Sequence, residues 1–148
     1  MNVSYLIKLA ASAVCGFLFG IERQKSNKDA GIRTNMLVCL AACTLVIVSK
    51  DGFVGLDADV SRVAASVIPG IGFLGAGSIF MRGNHVSGLT TSSVILIDTA
   101  VGMAIGAGLY ELAAGVTLVV CTIMYGTQLL ENKKRAKMKK QTWEDKSV

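Results

Sequence analysis

Apolar runs at residues 4–21, 35–49, 63–81, 89–110 and 112–130 take up most of this chain, and the polar segments between them are short. About 20 apolar residues in a helix cross a bilayer. Charged residues are 17% of the 148, where a soluble domain carries about a quarter, and the deficit falls inside the runs. Sixteen glycines and a single proline suit close-packed membrane helices, whose small residues let backbones approach. The fold class that follows is all-α: an integral membrane bundle of about five transmembrane helices over residues 1–130, followed by a basic cytoplasmic tail over 131–148. The first run begins almost at Met1, contains Lys8, and lacks a basic n-region and a small-residue cleavage site, so it reads as a retained span. The second run is the shortest, about 22 Å as a helix, and a re-entrant segment there is the alternative to a fifth crossing.

The net charge of +5 raises the question of nucleic acid, but the placement of the charge answers it. Seven of the fifteen Lys/Arg lie beyond the last run, at Lys133, Lys134, Arg135, Lys137, Lys139, Lys140 and Lys146. A basic segment directly after a span orients the protein and meets anionic lipid headgroups. With five spans and the tail inside, Arg23, Lys25, Lys28, Arg33 and Arg82 join those seven, leaving only Lys8, Lys50 and Arg62 outside. The positive-inside rule therefore predicts the N-terminus out and the C-terminus in. Four spans would divide these bases between the two sides.

Several residues stand out against this background. Gly16 and Gly20 form a small-xxx-small pair, the mark of a helix-packing face. In the third run, Pro69 precedes Gly70, Gly72, Gly75 and Gly77; the cluster predicts either close helix packing or a break in the helix, tolerated at membrane depth only inside protein or a hydrated cavity. The same glycines match GxGxxG, yet a dinucleotide fingerprint needs a preceding strand and a soluble βαβ unit. Asp98 lies near the centre of the fourth run. It is either a cation or proton site, or a protonated or hydrogen-bonded acid served by Thr90, Thr91, Ser92 or Thr99. Glu22, Arg23 and Gln24 with Arg33 and Thr34 make a polar cluster at the ends of the first two spans, either an ion-pair lattice or a contact for an ion or partner. The four cysteines sit in apolar runs without a CxxC pair and read as small buried hydrophobes. His85 reads as a solvated loop residue.

Taken in order, Glu22-Arg23-Gln24, Ala30-Gly31-Ile32-Arg33-Thr34-Asn35, Gly70-Ile71-Gly72-Phe73-Leu74-Gly75-Ala76-Gly77 and Gly88-Leu89-Thr90-Thr91 resemble the MgtC/SapB membrane-protein family over residues 1 to about 130. The resemblance implies a bacterial inner-membrane protein connected with magnesium limitation and acid tolerance. It carries over Glu22, Arg23, Gln24, Gly31, Arg33, Thr34, Gly70, Gly72, Gly75, Gly77, Thr90 and Thr91 as family-motif positions. Asp98 inherits nothing from it, since the family commonly has a small or hydroxyl residue there. Many members carry a soluble C-terminal domain, and a short form without it is expected here.

Two functions follow. One is a non-enzymatic protein of magnesium and acid-stress homeostasis that regulates membrane partners or handles cations. The other is a direct Mg2+ or proton-coupled transporter or channel, with a path through the third span and Asp98. An enzyme has no catalytic constellation to support it, and no cofactor is expected. Membrane lipids, further copies of the chain or other membrane proteins, and Mg2+ are the expected partners. One central acid offers few oxygen ligands to Mg2+, which dehydrates reluctantly, and this weighs toward regulation.

Overall fold

The computed structural model describes residues 3–26, 28, 30–53, 59, 61–83 and 85–144, with side chains as far as residue 130 except those of Arg82 and His85. Long apolar runs without a soluble partner leave the backbone only itself to bond to, and helices result. They are α1 (Val3–Lys25), α2 (Ile32–Asp51), α3 (Ser61–Gly77), α4 (Leu89–Ala107) and α5 (Tyr110–Glu144). Between α3 and α4 lies one antiparallel hairpin of β1 (Phe80–Arg82) and β2 (His85–Ser87). The all-α bundle expected from the runs is the observed fold. α1, α2, α4 and residues Tyr110–Leu130 of α5 are long and apolar enough to cross a membrane.

Three boundaries differ from the sequence expectation. The second run, read as short, is a full 20-residue helix, because Ile32, Arg33 and Thr34 join its first turn and Lys50 and Asp51 its last. The third is the short one, with 17 helical residues, about 26 Å at 1.5 Å per residue. It leaves the helix at Gly77: Ser78 folds its hydroxyl back onto the Gly75 carbonyl (2.7 Å), and Phe80 and Met81 become strand. Nor is α3 broken. It runs straight through Pro69, whose missing N–H leaves only the one carbonyl four residues earlier without its helical donor. α5 continues as a single helix past the span and through the basic segment to Glu144; the side chains of that segment, like that of His85, lie outside the described residues.

Glycine spacing sets the packing. On α1, a Cβ at Gly16 would come within 2.6 Å of the Asn35 carbonyl oxygen, and one at Gly20 would overlap Ile32. On α4, Gly102 faces the Cys39 carbonyl, and a Cβ at Gly106 would reach 2.6 Å from that of Cys43. Thus α2 is held by two GxxxG pairs, one from α1 and one from α4, with Asn35, Val38, Cys39, Ala42, Cys43, Val46 and Ser49 buried along it at spacings of one, three or four. α4 is the most enclosed helix; α5 and α1 present Leu, Val and Ile side chains outward, as lipid-facing helices do.

The last turn of α4 leaves four carbonyls without helical partners, and all four are met. Gly108, at φ +88, turns the chain so that Leu109 N–H bonds Ala104 O (2.8 Å) and Gly108 N–H bonds Ile105 O (3.0 Å). The ammonium groups of Lys8 and Lys50 donate to Gly106 O (3.0 Å) and Ala107 O (2.9 Å), where a helix C-terminus favours positive charge. α1 begins, and α2 and α4 end, at this one end of the bundle, so α2 and α4 run parallel to each other and antiparallel to α1.

At the other end the hairpin turns back through Gly88, at φ +93, whose Cα lies against the Ser78 carbonyl. Gly88→Ala should therefore lose about 1–2 kcal/mol from backbone conformation alone, with the collision added. Thermal unfolding in detergent checks this: the midpoint should fall clearly, whereas Gly83→Ala, also at positive φ but in open space, should fall less.

Candidate functional site

The end of α1 opposite Lys8 carries two adjacent charges that the fold buries. Gly20 lets Ile32 approach, which brings the turn between α1 and α2 under the last turn of α1. Asn35 holds that turn in place, donating its amide to Ala30 O (3.1 Å) and Gly31 O (2.7 Å). As a result Glu22 is 6% exposed and Arg23 2%. Arg23 donates from Nη2 to the Thr91 hydroxyl in the first turn of α4. Glu22 accepts from Ser26 Oγ (2.8 Å), and Ser26 Oγ in turn accepts from Gln128 Nε2 of α5 (2.9 Å). Three helices are joined here around two buried charges.

Beside this junction is a cavity of about 100 Å³, lined by Glu22, Arg23, Ser26, Lys28, Thr90, Met124, Thr127 and Gln128. A second, of about 370 Å³ and mostly apolar, lies between α2, α3 and α4, lined by Thr34, Val38, Phe73, Gly77, Thr91 and neighbours. Thr91 therefore borders the apolar cavity while it receives Arg23.

The predicted residues separate into groups. Glu22, Arg23 and Thr90 line the small cavity, and Thr34, Gly77 and Thr91 the larger one. Gln24 and Arg33 are exposed and Gly31 is half-buried, so the polar cluster expected between α1 and α2 instead reaches from α1 to α4 and α5. Of the α3 glycines, Gly75 meets a neighbour: a Cβ there would be 2.6 Å from Ser92 Oγ. Gly70, Gly72 and Gly77 would meet nothing within 4 Å, and Gly70 and Gly77 border open cavities beside α3. Sequence reasoning missed Ser26, Thr127 and Gln128, and the α4 pair Gly102 and Gly106. Ser26 stands at i+4 from Glu22 and the glycine pair at i+4 from each other, so both were readable. Gln128 carried no signal beyond being an amide near the end of an apolar run.

Asp98 is fully buried in α4, and neither carboxyl oxygen accepts a hydrogen bond. Of the four hydroxyls proposed to serve it, Thr99 donates to Ile95 O (2.9 Å) and Thr91 accepts from Arg23. None of the cavities described, including one of about 630 Å³ between α2, α3 and α4, is lined by it. Lys8, near the start of α1, is occupied at Gly106 O. An unpartnered polar group in such a place costs about 1–3 kcal/mol. Asp98→Ala should consequently be at least as stable as the parent in a detergent melt, and Asp98→Asn should fold. A clear loss of stability in both variants would mean that the carboxyl has a partner in the membrane.

Just ahead of α3, Asp59 accepts from the Ser61 hydroxyl (2.7 Å) and the Ser61 N–H (2.9 Å), which holds the carboxyl below its usual range. Among the described residues no three His, Cys, Asp or Glu side chains converge as metal ligands.

Comparison with known proteins places these features. The family model of the MgtC family matches residues 9–133. The putative magnesium transporter YhiD of Escherichia coli (strain K12) is 40% identical over 136 residues, covering 84% of this chain and 62% of the relative. Protein MgtC of Brucella abortus (strain 2308) is 44% identical over 115 residues, 78% of this chain and 48% of its own length. Protein SapB of Bacillus subtilis (strain 168) is 37% identical over 113 residues, 72% and 49% respectively. No solved structure matches. The chain thus spans roughly half to three-fifths of the length of the curated relatives it matches. With the family model covering most of its length, the chain belongs to the MgtC family.

Proposed function

We propose that this chain is a multi-pass protein of the bacterial inner membrane, its C-terminus cytoplasmic, that serves magnesium and acid-stress homeostasis without catalysing a reaction. It acts by engaging other membrane proteins or a cation at the junction of α1, α4 and α5. The observation that carries this reading is the burial of Glu22 and Arg23 at the inner helix ends, on Ser26 and Thr91. Buried charges are costly and are kept in place by dedicated partners, here Thr91, a motif position of the family, and Ser26. The names of the relatives, one a putative magnesium transporter, support the link to magnesium. The excess of Lys/Arg at this end supports its assignment to the cytoplasmic side.

A transport path along α3 and Asp98 is the second reading, favoured by the unpartnered oxygens of Asp98. It is opposed by the enclosure of that side chain, which borders none of the cavities described. Magnesium flux into liposomes holding the purified chain separates the two. The regulatory reading expects the flux of protein-free vesicles. Flux that disappears when Gly70, Gly72, Gly75 and Gly77 are all changed to alanine would establish the path instead.

A further inference from the structure

Three buried side-chain acceptors have no hydrogen-bond donor among the described residues, and all three belong to two side chains: Asn35 Oδ1 on α2 and both carboxyl oxygens of Asp98 on α4. Both side chains are 0% exposed. The orientation of the Asn35 amide is fixed, because its nitrogen faces two carbonyls that can only accept, Ala30 O (3.1 Å) and Gly31 O (2.7 Å). Its oxygen therefore points the other way.

Helix register brings the two side chains to one place. α2 and α4 run parallel, and Gly102 lies on the Cys39 carbonyl as Gly106 lies on that of Cys43, so the offset between the helices is constant over this stretch. One turn nearer the start of both helices, the same offset sets Asp98 opposite Asn35. Asp98 is also an electrostatic neighbour of Cys39, which stands one turn along α2 from Asn35. α1 closes a further side, where Gly16 lies on the Asn35 backbone.

Acceptors that meet in a dry core without a donor are costly, and one positive charge between them satisfies both. A carboxylate carries a single negative charge, so a monovalent species leaves the core neutral. Mg2+ would leave it charged and would keep several waters, while none of the cavities described borders Asp98. We infer that Asn35 and Asp98 together hold one monovalent cation, a proton or a sodium ion, which ties α2 to α4. As a proton it sits on the carboxyl, which donates to Asn35 Oδ1; as sodium it is ligated by the oxygens of both side chains. The site is independent of the α1–α4–α5 junction on which the proposed function rests, and either can fail without the other.

The other titratable groups in the surrounding core are thiols: Cys15 of α1, Cys39 and Cys43 of α2, and Cys121 of α5. α3 contributes none there, its Arg62 standing in the first turn. Lys8 of α1 donates to Gly106 O, about two turns along α4 from Asp98, and Arg23 of α1 to Thr91, about two turns the other way.

The test melts the whole purified chain in one detergent along two arms. The first lowers the pH from about 8 to about 6 in choline buffer, above the range where a carboxyl in water titrates. The second replaces choline by sodium at about pH 8 and constant ionic strength. Asp98→Asn brings its own donor and no charge, and it keeps Glu22 and the thiols, so the difference between parent and Asp98→Asn isolates Asp98. A held proton makes that difference grow in favour of the parent as pH falls, because the folded bundle keeps a proton that the unfolded chain releases. The effect reaches about tenfold in the unfolding constant per pH unit. Held sodium makes it grow with sodium instead. At about pH 8 without sodium the carboxyl is uncompensated, and there Asp98→Ala should equal or exceed the parent. Asn35→Ser loses its turn contacts and melts lower throughout, yet its response along the arm should shrink, since its acceptor is out of reach. If Asp98→Asn does not fold, Asp98→Ala takes its place as the reference. A difference that stays constant in both arms, or an Asn35→Ser chain with the full parental response, overturns the inference.

Discussion

Gly102→Leu and Gly106→Leu are each expected to abolish the folded bundle. At both positions the atom that blocks a side chain is backbone: the Cys39 carbonyl for Gly102, and for Gly106 the Cys43 carbonyl, with Val46 Cβ at 2.9 Å. A backbone atom cannot rotate aside as a side chain can, so α2 and α4 would have to separate. Overpacking of this kind costs about 3 kcal/mol or more, against a total stability of about 5–15 kcal/mol. The separation would also pull Gly106 O and Ala107 O away from Lys8 and Lys50. Gly72→Leu is the control, because its Cβ would meet nothing within 4 Å; it should melt within about 0.5 kcal/mol of the parent. Thermal unfolding and size-exclusion profiles in one detergent compare the three. A Gly72→Leu chain as damaged as Gly102→Leu would mean that another protein covers the open face of α3.

That contrast also shows what could be read before the structure. The helices were legible because apolar length is a one-dimensional property: each run became a helix, and the α4–α5 hairpin turned at Gly108 just ahead of Glu111. The face a glycine presents is not one-dimensional. Gly70, Gly72, Gly75 and Gly77 drew attention by their density, yet only Gly75 touches a neighbouring helix. The sparser Gly102–Gly106 pair, at the same i+4 spacing as Gly16–Gly20, forms a main contact of the bundle. Density marks a segment, whereas spacing along one face marks an interface.

The candidate site was half legible for a related reason. Two adjacent charges closing an apolar run were visible at Glu22 and Arg23, but Thr91, which Arg23 meets, lies 68 positions away, and Ser26, which bonds Glu22, is reached by Gln128 from 102 positions away. Nothing local in the sequence ties Arg23 to α4 rather than to the nearer α2. Helix order in the bundle decides it, and that order follows from the two glycine pairs that pack α1 and α4 against α2. The burial of Asp98 was foreseen, while its lack of a hydroxyl partner was not. Thr99 spends its proton on the carbonyl of its own helix, as hydroxyls in apolar helices commonly do.

Arg23 is where the account is most exposed. Its guanidinium is 2% exposed and bridges to Thr91 across the junction, whereas the glycine contacts that hold α1, α2 and α4 together lie elsewhere along the helices. Arg23→Gln removes the charge and leaves a shorter amide that can still fill part of the space. Losing one buried charge-assisted hydrogen bond costs about 1.5–3 kcal/mol, which the bundle can bear. The chain should therefore still insert and accumulate. Arg23→Lys should not restore it fully, since one ammonium does not replace a planar fork. The deciding measurement is growth in limiting magnesium of a bacterial host lacking its own MgtC-family protein, with membrane levels of each variant measured alongside. The parent chain should restore growth, and Arg23→Gln, at equal membrane level, should not. An Arg23→Gln chain that restores growth as well as the parent would contradict the claim that this protein works through the junction of α1, α4 and α5.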